Sequence, residues 1–169
     1  MVRAHYVAKA RKDNPAVKAG EPYWWWQFRY GPKRHSAMRP KPSQLTQSRW
    51  GDVLVAEEAY WDAIAAATCK EDLAGALDEA AGALRDTASE FEDSIVNMPE
   101  SLQDSDTAQR IQERVDVLND AADEFECFEF TDAQEAKEEC DDNETPVEAA
   151  FRLDQSRLEC EIEWPSDPY

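Results

Sequence analysis

The chain has no Gly-rich loop to cradle a phosphate, no serine in a nucleophile elbow and no C-x-x-C pair. Cys69, Cys127, Cys140 and Cys160 are scattered, without the close local Cys or His spacing that a zinc site needs. They read as buried or incidental thiols. His5 and His35 are the only histidines, and both fall in the first forty residues. Asp141-x-Asn143-x-Thr145 begins like a calcium loop, but Pro146 stands where glycine is required and Arg152 where the bidentate glutamate should be. Carboxylates are so abundant that pairs of them discriminate nothing as acid–base candidates. No apolar run approaches the ~18–20 residues that span a bilayer. The N-terminus lacks the apolar core of a secretion signal. These absences point away from an enzyme, a metal site, a cofactor and a membrane, and toward a cytoplasmic protein without disulfides.

What the sequence does have is charge, unevenly placed. The net charge is −19 over 169 residues. Residues 1–50 carry eleven Lys and Arg against Asp13 and Glu21, or +9; residues 51–169 carry seven against thirty-five carboxylates, or −28. Such a split gives one molecule two electrostatic surfaces.

The pattern predicts a mainly α fold: a long antiparallel coiled-coil-like helical hairpin, shorter helices, and a small N-terminal antiparallel β-meander. Two parts are expected, a basic aromatic-rich β-module over 1–42 and an acidic helical domain over 43–169. In the hairpin, residues 68–128, Leu73, Leu77, Ala80, Leu84, Ala88, Phe91, Ile95 and Met98 recur at spacings of three and four. Ala108, Ile111, Val115, Leu118, Ala122 and Phe125 resume the pattern after Pro99 breaks it. Arms of similar length bury both stripes within one chain, and the same seam could also pair two chains as a homodimer. Thr68 with Glu71, Thr131 with Gln134, and Thr145-Pro146 with Glu148 read as capping boxes. They open helices at 68, at about 132–141 and at 146–162; Asp52 opens another to about 67. The stripe of the last helix is Val147, Phe151, Leu158 and Ile162. The strands are residues 2–10, 23–30 and 33–37. On the second, Trp24, Trp26, Phe28 and Tyr30 line one face and Tyr23, Trp25, Gln27 and Arg29 the other.

Lys9-Ala-Arg-Lys12, Gly20-Glu-Pro-Tyr-Trp-Trp-Trp-Gln-Phe-Arg29 and Ser43-Gln-Leu-Thr-Gln-Ser48 together resemble the start of small bacteriophage- and prophage-encoded proteins. Asn97-Met-Pro-Glu-Ser-Leu-Gln103 followed by Gln112-Glu-Arg114 resembles the hairpin turn of the same group. The resemblance covers about half the chain. It implies a phage origin, hence a host cytoplasm, and carries over no catalytic residues. The Trp-rich segment also resembles a zinc-ribbon hairpin, with no cysteine where the knuckles would stand.

Two surfaces are candidates for function. The first is acidic: Asp116, Asp120, Asp123, Glu124, Glu126, Glu129, Asp132, Glu135, Glu138 and Glu139 lie off the apolar stripe. Carboxylates on a helix surface can imitate the spacing of duplex phosphates and occupy the DNA groove of a basic host protein of nucleic-acid metabolism or defence. A solvated, solubilising face is the simpler alternative. The second is basic: Arg29, Lys33, Arg34, Arg39 and Lys41 with Trp25, a set suited to phosphates and unpaired bases. Its alternative is ion pairing with the acidic helices. A third reading makes the hairpin a structural or assembly element.

Overall fold

The computed structural model describes residues 1–140 and 144–168, with the backbone alone at Glu139. It is mainly helical, with a three-stranded antiparallel sheet near the N-terminus. The chain divides into two compact units, Met1–Val55 and Ala56–Tyr169.

In the first unit, β1 (His5–Val7), β2 (Tyr23–Gln27) and β3 (Lys33–Ser36) form a meander in the order β1-β2-β3. All three are shorter than the sequence predicts, and local hydrogen bonds explain where they stop. Beyond β2, Gln27 Nε2 donates to the Gly31 carbonyl at 2.9 Å and the Gly31 N–H to Phe28 O at 3.1 Å. That turn takes Phe28–Gly31 out of the ladder. Tyr30, expected beside Trp26 and Phe28, is consequently 91% exposed, while those two are buried. Between β1 and β2, Asn14 Oδ1 accepts from the N–H groups of Ala16 and Val17, and Asp13 Oδ1 from Ala19. These side chains stand in for a ladder across the polar loop. Gly20 closes the loop with φ +99°, a conformation costly for any residue with a Cβ. A 3₁₀ turn, Pro42–Leu45, follows the sheet; Leu45 O accepts from the Val2 N–H at 2.7 Å and pins the first residues in place.

Helix α1 (Gly51–Ala66) runs across the division between the units, with Asp52 inside its first turn. The second unit is built on α2 (Lys70–Val96) and α4 (Asp106–Glu126), joined through the single turn α3 (Glu100–Gln103). α2 and α4 pack against each other along their length as the periodicity predicts. Leu73, Leu77, Leu84, Phe91, Val115, Leu118 and Phe125 are buried, each contributing about 1.5–3 kcal/mol of transfer free energy. Ala76, Ala81, Thr87 and Ala121 are buried too, so the apolar face is wider than an a/d seam. Thr87 satisfies its hydroxyl on Ala83 O at 2.9 Å. Toward the turn the seam loosens: Ile95, Met98 and Ile111 are only half-buried. At the other end Phe125 meets Tyr60 of α1 and Trp164, with ring centroids 5.7 and 5.1 Å away.

The capping reads divide three ways. α5 (Pro146–Glu161) starts as expected, with Thr145 Oγ1 accepting from the Glu148 N–H and the Glu148 carboxylate accepting back from Thr145. That bonding, first from the backbone N–H, holds Glu148 below the ordinary carboxylate range. The box before α2 is displaced by one residue: Asp72, not Glu71, accepts from Thr68 N–H, Thr68 Oγ1 and Cys69 N–H. The box at Thr131 does not form. Its N–H and hydroxyl both donate to Asp154 Oδ1, at 2.9 and 2.6 Å, and the Gln134 N–H turns back to Asp132 Oδ1. The helix expected over about 132–141 is therefore a single 3₁₀ turn, Ala136–Glu139. Along α5 the stripe also differs. Val147 is 67% exposed, whereas Ala149, Ala150 and Asp154 are buried beside Leu158. Asp141, Asp142 and Asn143, the start of the calcium-like loop, lie outside the described residues.

Candidate functional site

Nine of the ten acidic candidates are described with side chains, and all nine are exposed: Asp116, Asp120, Asp123, Glu124, Glu126, Glu129, Asp132, Glu135 and Glu138. The side chain of Glu139 lies outside the described residues. On α4, Glu113, Asp116, Asp120 and Asp123 follow one another at three, four and three residues, a stripe with one carboxylate per ~5 Å of axis. A duplex strand presents one phosphate per ~3.4 Å of axis. Regular spacing stops at the end of α4, because Glu129, Asp132, Glu135 and Glu138 stand on irregular chain and a 3₁₀ turn.

Two of these carboxylates, Asp123 and Glu126, are paired with a cation. Arg85 of α2 reaches across the hairpin, with Nη2 2.7 Å from Asp123 Oδ1 and 2.8 Å from Glu126 Oε2, and Nε 2.9 Å from Glu126 Oε1. The last turn of α4 has no cation of its own, so Arg85 supplies the positive charge that a helix C-terminus favours. Hydrogen bonding from Arg85 holds Glu126 below its ordinary range, and the two carboxylates hold Arg85 above its own. Asp116 accepts from Gln112 Nε2 one turn earlier, at 2.9 Å.

The basic candidates separate into distinct places. Trp25 stands between His5 and His35 in register across the three strands. Its ring stacks on His5 at 4.5 Å, and Lys33 Nζ lies 4.5 Å from its centroid. Trp24 points to the other face of the sheet, with Arg39 over its ring at 6.0 Å. Arg39 and Lys41 join Arg3 around a cavity of about 590 Å3 floored by Trp24, Pro42 and Leu45. Arg34 and Arg29 belong to neither group: they lie over Phe28 and Tyr30, each at 5.3 Å. The role of Trp24 as a cavity wall was not read from the sequence. The available signal was strand alternation, which puts Trp24 on the face opposite Trp25.

In the second unit a cavity of about 550 Å3 opens where the N-termini of α2 and α5 approach Phe130 and Thr131. Lys70 lies over Phe130 there, and its ammonium donates to Thr131 O at 3.4 Å. All four cysteines are free thiols. Among the described residues no group of three His, Cys, Asp or Glu is placed to hold a metal ion, and no helix is long and apolar enough to cross a membrane.

Comparison of the chain with protein-family models, with curated proteins and with solved structures found no match.

Proposed function

We propose that the protein is a non-enzymatic binding protein of phage type. Its acidic helical surface engages a basic nucleic-acid-handling host protein and blocks the groove that protein uses for DNA. The observation that supports this reading is the α4 stripe: Glu113, Asp116 and Asp120, exposed at spacings of three and four residues and followed by Asp123 in the Arg85 clamp, on a helix whose opposite face is fixed in a buried seam. A rigid row of negative charge presents itself to a partner without the ordering cost of a flexible acidic tail. The segment from Glu129 to Glu138 adds charge but not spacing, so α4 is the recognition element and the segment after it a source of electrostatic steering.

The test is affinity capture from host lysate at low and high salt, followed by charge reversal. Asp116, Asp120 and Glu124 are the positions to reverse, since reversing Asp123 or Glu126 would also break the Arg85 clamp between helices. The expected result is a nucleic-acid enzyme captured at low salt, released at high salt, and lost with the triple Lys variant while the helical signal is unchanged. Unaltered capture by that variant rules the surface out.

A further inference from the structure

We propose that the cavity in the first unit is a nucleotide site, its floor taking a base and its rim a phosphate. The site belongs to the first unit and the acidic stripe to the second, and the two readings stand or fall separately. Its volume, about 590 Å3, falls within the ~300–1,000 Å3 of small-molecule sites. Among the described residues the lining holds three cationic side chains, Arg3, Arg39 and Lys41, and no carboxylate. Residues 1–50 carry eleven Lys and Arg against Asp13 and Glu21, so this lining belongs to a basic part of the chain and favours an anion.

The floor selects something flat and apolar. Trp24 offers an indole, and Pro40, Pro42 and Leu45 offer aliphatic surface. The Arg39 guanidinium already rests 6.0 Å from the Trp24 ring centroid. A base stacked on Trp24 would take the place the guanidinium now occupies, and Arg39, on its flexible stem, would shift onto the outer face of that base. A phosphate on the same ligand then meets Arg3 at the rim. The walls are held before any ligand arrives. Trp24 is paired in register with Tyr6 on one side and Ser36 on the other, and the Val2 N–H to Leu45 O bond ties the N-terminal wall to the 3₁₀ turn. Phosphate joined to a planar ring is the chemistry of a nucleotide, either free or as an unpaired residue of a single strand. A duplex keeps its bases stacked and cannot offer one to the floor.

The experiment is isothermal titration calorimetry on the full chain at low salt. The probes are adenosine and uridine monophosphates, inorganic phosphate, a single-stranded oligothymidylate and a duplex of the same length. The expected result is mononucleotide binding at least tenfold tighter than inorganic phosphate, weakened about tenfold or more by Arg39→Gln and similarly by Trp24→Leu. Trp24 is half-buried, so its variant is read only if circular dichroism is unchanged; Arg3→Gln and Arg39→Gln are exposed and carry the test otherwise. Strand binding without mononucleotide binding, lost in Arg39→Gln, assigns the site to a strand-borne nucleotide. Nucleotide no tighter than phosphate, strand affinity unchanged by Arg39→Gln, duplex preferred over single strand, or no binding by any probe overturns the proposal.

Discussion

Replacing Asp154 should cost more than replacing any other charged residue of the second unit. Its side chain is fully buried, and Oδ1 accepts from both the N–H and the hydroxyl of Thr131, with Arg157 3.6 Å away. Hydrogen bonds to a charged group contribute ~1.5–3 kcal/mol each, so Asp154→Ala forfeits a gross ~3–6 kcal/mol. Removing a buried carboxylate also relieves its desolvation penalty, and Thr131 is half-exposed, so water can recover part of its bonding. The net expectation is about 3 kcal/mol. Asp154→Asn keeps an acceptor in place and should cost about 1 kcal/mol. Thr131→Val removes only the hydroxyl bond and should cost about 1.5–2 kcal/mol. The double variant Asp154→Ala, Thr131→Val should be no less stable than Asp154→Ala alone, because both changes remove the same interaction. Urea unfolding followed by the helical dichroism signal measures all four. Additive costs, or a loss below about 1 kcal/mol for Asp154→Ala, would refute the view that this carboxylate anchors the segment after the hairpin to α5.

The seam makes a graded prediction. Leu118→Ala, at a fully buried position, should cost about 2–5 kcal/mol, whereas Ile111→Ala, half-buried near the turn, should cost clearly less; equal losses in urea unfolding would show that the hairpin does not loosen toward α3. Alkaline pH tests the aromatic end. Desolvation by burial, with Glu159 adding to it, pushes the Tyr60 phenol up to about 12 from 10.0. A raised folded-state value means that its stability contribution is complete below pH 10 and is lost as pH rises toward 12. By pH 12 the loss is on the order of 2 kcal/mol. Tyr60→Phe should therefore flatten that limb of the pH–stability curve, and an unchanged limb would place the titration elsewhere.

The parts of the molecule legible in the sequence are those fixed by short-range rules. α2 and α4 follow from apolar spacing alone, because 27 and 21 residues repeat it often enough to outvote any single exception. The Thr145 box was legible because Pro146 at the first helical position adds a second, independent signal. Thr131-x-x-Gln134 looks equivalent over four residues, but what decides its fate is Asp154, 23 positions further on. A buried carboxylate needs donors more than a solvated helix end needs a cap, so the long-range partner wins. The same reasoning separates the two candidate surfaces. The carboxylates of α4 were identifiable as exposed, since anything off a seam on an amphipathic helix faces outward. Their partial neutralisation by Arg85 was not, because it depends on how two helices are phased across the hairpin. In the basic unit, Arg3, Trp24, Arg39 and Lys41 are brought around one cavity by strand register and one turn. Lys33 and Trp25 are sent to the opposite face by the same register. A list of cations and aromatics has no faces until register assigns them, and that assignment gathers part of a generally basic head around one bounded cavity.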